Sequence, residues 1–281
     1  MAVNVSRVPL PQSARRLARS MVRGAARVAW LERLAGPAYA RYFNRARGHI
    51  RLFRGIYPDF ATAARDLPTN RPIGYDNPES AFRIFDEWLQ IYAYDYPIMV
   101  WLGKLLPHAS VVFDWGGNVA LKYFAYRKYL SYPSNLEWRV CELPAIVEAG
   151  RGVAAREGAS AVTFTTAFED IAGADILLAA GSLHFIEDPF ALLRGAATLP
   201  KHLLLAKVPT YDRPSAVTLS NMGTAICLYH LFNRAEFVAK IEALGYRLVD
   251  EWQTSDGYCR VPFYPDHAID AYSGFYFERL P

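Results

Sequence analysis

Val111-Val112-Phe113-Asp114-Trp115-Gly116-Gly117-Asn118 is the stretch on which the fold turns. Its apolar run reads as a buried strand, an acid follows, and two glycines open a helix. Glycine lets a backbone turn sharply and approach a ligand with no side chain in the way. The N–H groups at a helix start can then receive a carboxylate or a phosphate. Alone, the stretch is either such a ligand loop or a tight strand–helix turn.

Downstream the same alternation repeats. Ala120 to Leu130 is helical, Trp138 to Cys141 is a second strand, and Ala145 to Arg156 a second helix. Ala161 to Phe164 and Asp175 to Ala180 are further strands. Pro189 to Leu199 is helical, and Leu203 to Ala206 is a fifth strand. Strands alternating with helices predict an α/β fold: a parallel sheet with helices on both faces. Arg234 to Leu244 reads as a helix stopped by Gly245. Tyr246 to Trp252 and Gly274 to Leu280 are strands, either an antiparallel hairpin with a long loop or two separate edges.

Upstream, residues 55–109 read as a helical cap. Gly55 to Phe60 is turn-like, and Pro72 to Pro78 is dense in turn residues. Asp76 or Asn77 can cap a helix running through Phe82, Phe85, Trp88, Leu89 and Tyr92. Pro97 breaks or kinks it, and a second piece follows to about Leu106. The division is thus a basic arm over 1–54, the cap over 55–109, and the α/β domain over 110–281.

The arm owes its name to charge. Residues 1–54 hold twelve Arg, no Lys and one acid, Glu32, a local charge of +11. The rest, with nineteen bases against twenty-six acids, carries −7, so the net +4 averages two opposites. Arg15, Arg19, Arg23 and Arg27 recur every four residues, with Leu17, Met21, Val28 and Leu31 mostly on another side. That pattern suits a helix packed on the domain, a peripheral contact with an anionic membrane, or a targeting segment. Without Lys or interleaved aromatics it does not suit nucleic acid. At 52% hydrophobic and 21% charged residues the chain is globular in composition, and no run is long enough to span a bilayer. Cys141, Cys227 and Cys259 give neither metal spacing nor a disulfide framework, so no metal is expected and a reducing, cytoplasmic setting is the simple reading.

The strand tips carry the chemistry. Beyond the first lies the glycine loop. The second ends in Glu142-Leu143, an acid able to accept hydrogen bonds from ribose hydroxyls or to charge the next helix start. The third ends near Ala167-Phe168, where an aromatic can cover an adenine face or simply pack. The fourth ends in Gly181-Ser182-Leu183-His184, with small residues that leave room for a substrate. Ligands of open parallel sheets lie beyond the carboxyl ends of the strands.

With these features together, the block from Val111 to about Leu205 resembles the class I S-adenosylmethionine-dependent methyltransferases. Asp114-x-Gly116 matches the family's first motif, Glu142 its ribose acid, Ala167-Phe168 its adenine contact, and Ala179 to Phe185 its fourth-strand motif. More narrowly, Gly55 to Pro58, Gly74-Tyr75-Asp76, Asp114 to Gly117, Glu187-Asp188-Pro189 and Phe237 to Trp252 resemble an uncharacterised bacterial family of methyltransferases often associated with cell-surface polysaccharide genes. The resemblance implies a Rossmann-like, mostly parallel seven-stranded sheet with a C-terminal antiparallel strand. It implies S-adenosylmethionine as cofactor, held by Asp114, Gly116, Gly117, Asn118, Glu142, Leu143, Ala167, Phe168, Gly181 and Ser182. It implies methyl transfer to a small-molecule or glycan acceptor, with oxygen the expected receiving atom. The family pattern has Gly where this chain has Asn118 and Ala120. A nicotinamide enzyme is the competing reading, but its fingerprint needs Gly-x-Gly-x-x-Gly at a pyrophosphate, which an adjoining Asp would repel. A non-catalytic relative that only binds is the third.

Direct displacement from an activated donor needs alignment and exclusion of water, and an acceptor hydroxyl can need a base. The candidates are His184, His230 and Tyr229, each of which could equally be a structural side chain. Lys207 and Tyr211 could line the acceptor site. His202 begins the fifth strand, at the far end.

Overall fold

The computed structural model describes residues 29–47, 51–69, 71–76, 89–255 and 257–281. The Arg15–Arg27 repeat and Phe82, Phe85 and Trp88 of the helix expected through Tyr92 lie outside them. Leu89 to Tyr92, where that helix is expected to run on, are not helical, and Pro97 falls in the first turn of the next helix. In chain order come α1 (Ala29–Arg45), β1 (Leu52–Tyr57), α2 (Phe60–Ala64), α3 (Asp95–Leu105), β2 (Val111–Trp115), α4 (Leu121–Tyr126) and β3 (Glu137–Cys141). Then follow α5 (Pro144–Arg156), β4 (Val162–Thr165), β5 (Ile176–Ala180), α6 (Pro189–Gly195) and β6 (His202–Val208). The chain ends with β7 (Thr210–Tyr211), β8 (Ala216–Asn221), β9 (Ile226–Asn233), α7 (Arg234–Glu242), β10 (Tyr246–Thr254) and β11 (Tyr272–Arg279).

Seven strands form the main sheet in the order β10-β11-β6-β5-β2-β3-β4. β2 to β6 are mutually parallel, and β11 joins β6 antiparallel. This is the Rossmann-like sheet of the class I methyltransferase fold, with its C-terminal antiparallel strand. β10 and β11 pair as a hairpin around a long loop, Tyr246 opposite Arg279. Alternate residues of a strand face opposite sides of a sheet, and the two cores follow that rule. Val112, Ile176, Leu178 and Leu204 face α3, α4 and α5. Phe113, Leu177, Leu203 and Leu205 face α6 and α7, through Phe190, Leu193, Phe237 and Ile241. Such strands are buried on both faces, hence their unbroken apolar runs.

The second sheet departs from the sequence reading. β1, β8, β9 and β7 form it in that order. Gly55 to Phe60 is therefore turn-like only in part: its first half, Gly55 to Tyr57, belongs to β1, which pairs antiparallel with β8, Phe53 opposite Ser220, and Pro58-Asp59 bend before α2. A register shift follows at Gly55, whose φ of 72° suits glycine; a Cβ there would strike the Tyr57 ring. One face carries Phe53, Tyr229 and Leu231, closed by Cys259, Val261 and Ile269 from the β10–β11 loop. The other receives Phe43 of α1 and Phe60 of α2. Tyr39 of α1 donates to the Phe53 carbonyl at 2.8 Å. Two helices end sooner than their sequence suggests: α4 stops at Tyr126 and α6 at Gly195. The α6 start is as expected, Asp188 capping through Ala191 N–H at 2.9 Å with Pro189 in the first turn.

Candidate active site

β2 lies between β5 and β3, and the chain passes from one half of the sheet to the other between β2 and β5. The loops beyond these two strands sit at the point of reversal, where open sheets bind ligands. They are tied together. Ser182 Oγ donates to the Trp115 carbonyl, and a Cβ on Gly116, at φ 75°, would land on Ser182. A Cβ on Gly117 would land on the Asp114 carboxylate. Asn118 and Ala120, which stand where the family pattern has Gly, have φ of 55° and 65°. Asn118 tolerates the left-handed region, its Oδ1 accepting the Val119 N–H at 2.8 Å, whereas the alanine at 120 disfavours it.

Asp114 is fully buried. Its Oδ2 accepts the Trp138 indole N–H at 3.0 Å, and Oδ1 has no partner. Burial lifts its pKa to about 7, against the pull of the Trp138 hydrogen bond and the Lys122 charge. Glu142 accepts the backbone N–H groups of Asn118 at 3.0 Å and Leu143 at 2.9 Å. Burial raises its pKa, and those two donors lower it. A carboxylate has about four acceptor positions, so roughly two remain. Leu143, 40% exposed, stands beside it. Phe168 leans on Trp115, ring centroids 4.5 Å apart, and meets Phe113 edge-on. Ala167 N–H is held by Thr165 Oγ1 at 3.0 Å. Gly181 has a φ of 100°, and a Cβ there would come into van der Waals contact with the Lys207 side chain.

Asp76, expected to cap a helix of its own segment, accepts the Ala145 N–H at 3.0 Å, in the first turn of α5 beside Glu142. Tyr75 next to it faces Phe185 at 6.2 Å. Behind Asp114 lies an ionic cluster that the sequence reading did not single out. Lys122 of α4 pairs with Asp95 of α3 at 2.7 Å, and Tyr126 donates to the same carboxylate. The one signal for it was a lysine in the otherwise apolar run Leu121 to Tyr126.

The three candidate proton-handling residues separate. His184 and Tyr229 pack at a tilt of 40°, with ring centroids 4.3 Å apart. His230, next along β9, packs between Phe60 and Phe232, and its Nε2 meets the Glu187 carbonyl at 2.8 Å. Neighbours on a strand point to opposite faces, so His230 does not join the other two. His184 is buried, and one ring nitrogen bonds the Lys207 carbonyl while Nδ1 has no partner. Burial first, then the charges of Arg51, Lys207 and His230, hold its pKa well below the ordinary value. It is therefore neutral at pH 7, with a lone pair on Nδ1. Lys207, near the end of β6, has a φ of 56°. Tyr211 is engaged by the Pro214 carbonyl at 2.7 Å and His267 at 3.0 Å. His202 sits at the far end, against Tyr276.

No protein-family model matches the chain, and no curated protein matches it. Several solved structures are similar. The 1,6-didemethyltoxoflavin-N1-methyltransferase of Burkholderia thailandensis is 19% identical, over 67% of this chain and 79% of that one, with a TM-score of 0.45. The CcbJ methyltransferase of Streptomyces caelestis is 15% identical, over 70% and 95%, with a TM-score of 0.46. Magnesium protoporphyrin IX methyltransferase of Synechocystis PCC 6803 is 16% identical, over 66% and 81%, with a TM-score of 0.44. The first and third were crystallised with S-adenosylhomocysteine. At these identities the likeness is one of fold.

Proposed function

We propose that this chain is an S-adenosylmethionine-dependent methyltransferase acting on a small-molecule or glycan acceptor, with oxygen as the receiving atom. The observation that carries the reading is the convergence of the Asp114–Ala120 loop, Glu142 and Gly181-Ser182 at the reversal between β2 and β5. The backbone there is left-handed at Gly116, Asn118 and Ala120, whatever the side chain.

The residues suit this cofactor better than a dinucleotide. Glu142 retains lone pairs for ribose hydroxyls after serving Asn118 and Leu143. Asp114 is a buried acid with an unpartnered oxygen, tolerable beside a cation and repellent to a pyrophosphate. Leu143 and Phe168 offer apolar surface for an adenine. When bound, the cofactor supplies a methyl group already activated as a sulfonium. The protein's share is to align and to exclude water. His184, just past the tip of β5 and with an unpartnered Nδ1, is the candidate to receive an acceptor hydroxyl's hydrogen bond, although its burial weakens it as a base. The acceptor's polysaccharide context, the cytoplasmic setting and the membrane contact of the basic arm belong to the same proposal.

Calorimetry with S-adenosylhomocysteine tests it. Saturable binding, weakened tenfold or more by Glu142→Ala, is the expected result. No binding by the intact protein overturns it. Binding without methyl transfer to any sugar or extract fraction would favour a non-catalytic relative.

A further inference from the structure

Arg51 stands at the start of β1 and holds its charge in an unusual place. Its Nη2 donates to the Tyr229 hydroxyl at 3.0 Å. Its guanidinium lies 5.6, 5.7 and 5.3 Å from the ring centres of Phe53, Tyr229 and Tyr272. Its Nε is sealed from solvent without a partner, although the residue as a whole is partly exposed. The groups bearing most on its charge are two phenols and the Cys259 thiol, and no carboxylate among the described residues pairs with it. The phenols do not neutralise it. Tyr229 bonds the Tyr272 hydroxyl at 2.7 Å, and Tyr272 donates onward to the Tyr258 carbonyl at 3.0 Å.

Arginine cannot shed its proton, and a desolvated cation without a counter-ion is expensive. Faces of aromatic rings offset part of that cost, not all of it. Other cations among the described residues are met by formal charge or by several carbonyls: Lys122 has Asp95, Arg234 has Glu251, and buried Arg71 donates to the carbonyls of Asn44, Ala46 and Gly223. His184 adds an independent observation. It packs at a tilt against the same Tyr229 ring, with an unpartnered Nδ1. Ring contacts lead from the cage toward the proposed cofactor acid: Phe185 meets Tyr229 edge-on at 5.4 Å and faces Tyr75 at 6.2 Å, and Asp76, next to Tyr75, accepts the Ala145 N–H at the start of α5.

We propose that Arg51 is the counter-ion of the methyl acceptor: the acceptor carries a carboxylate, held by the guanidinium within the cage of Phe53, Tyr229 and Tyr272. The assignment rests on the methyltransferase reading. A planar carboxylate matches the fork of a guanidinium. The three rings are buried and hold the guanidinium in place, while Arg51 itself keeps the partial exposure through which a carboxylate can reach it.

The test is calorimetric, on the full chain with and without S-adenosylhomocysteine, with benzoate as the probe. Benzoate is expected to bind saturably to the wild type. Its affinity should fall tenfold or more in Arg51→Met and partly recover in Arg51→Lys, while S-adenosylhomocysteine affinity stays within twofold. Equal benzoate affinity in wild type and Arg51→Met, or none in either, overturns the proposal. Benzamide, uncharged and of the same shape, needs no variant; if it binds as tightly as benzoate, the proposal falls. Inorganic phosphate binding tenfold tighter than benzoate would replace the carboxylate by a phosphate and overturn this assignment. If benzoate binding depends on Arg51 but S-adenosylhomocysteine does not bind, the anion site stands and the methyltransferase reading fails.

Discussion

Replacing Asp114 by Asn should change how stability depends on pH. In the folded protein burial raises this carboxyl from 3.8 to about 7. In the unfolded chain it returns to the ordinary carboxylate range, near 4. Between the two values the folded state keeps a proton that the unfolded chain releases, so stability falls as pH rises through this window. Below about 4 both states hold the proton, and above about 7 both have lost it. The whole span is about three units, or roughly 4 kcal/mol at about 1.4 kcal/mol per unit. From pH 5 to pH 8 the wild type should lose roughly 2 to 3 kcal/mol relative to Asp114→Asn. The isosteric amide can still accept the Trp138 N–H and is indifferent to pH. Urea unfolding of both proteins at half-unit intervals measures the difference, and subtracting the variant removes Lys122, His184 and Glu142 from the comparison. Parallel curves would refute the argument, because the buried acid would then be ionised throughout, with its charge compensated by the Lys122–Asp95 cluster.

Four further outcomes can be measured, three of them on the loop and the ionic cluster behind it. Gly117→Ala drives a methyl into the Asp114 carboxylate and should cost more than about 2 kcal/mol; Ala120→Gly, which relieves a left-handed alanine at the loss of a buried methyl, should change stability by less than about 1 kcal/mol. Denaturant titration reads both. Lys122→Met strands the fully buried Asp95 and should destabilise the fold by roughly 3 kcal/mol, more than Lys122→Met combined with Asp95→Asn. Deleting residues 1–28 should abolish sedimentation with anionic liposomes and leave S-adenosylhomocysteine affinity unchanged; liposome binding that survives the deletion removes the membrane proposal.

The main sheet is legible because its strands are buried on both faces. Val111 to Phe113, Ile176 to Ala180 and Leu203 to Ala206 cannot alternate with polar residues, so they stand out as runs. The small sheet hides for the opposite reason. β8 carries Thr218, Ser220 and Asn221, all fully buried and all hydrogen-bonded, to the Arg54 carbonyl, Met222 sulfur and Phe43 carbonyl respectively. Polar residues buried with partners defeat any reading by hydropathy. β1 is interrupted by Arg54 and a left-handed Gly55, which reads as a turn. The tips of β2, β3 and β5 were legible from the order of strand, acid and glycine. Arg51 was not, because a sequence offers it only as one of twelve arginines in a basic stretch. Its distinguishing mark is long range: its partners Tyr229 and Tyr272 lie near the other end of the chain.

That separation has a consequence for synthesis. Leu52 is paired with Asn221, so β1 leaves the ribosome well before its partner exists. At about 5 to 20 residues per second the delay is roughly ten to thirty seconds. During that time the apolar face of β1, with Phe53, has no sheet to join, which makes the nascent N-terminal segment a natural client for a holding chaperone. The parallel strands β2 to β6 emerge in the interval and can collapse on one another first. Arg51 reaches Tyr229 and Tyr272 only after nearly the whole chain has emerged. The cage is thus among the last contacts to close in each newly made molecule, and a prematurely terminated chain would lack it.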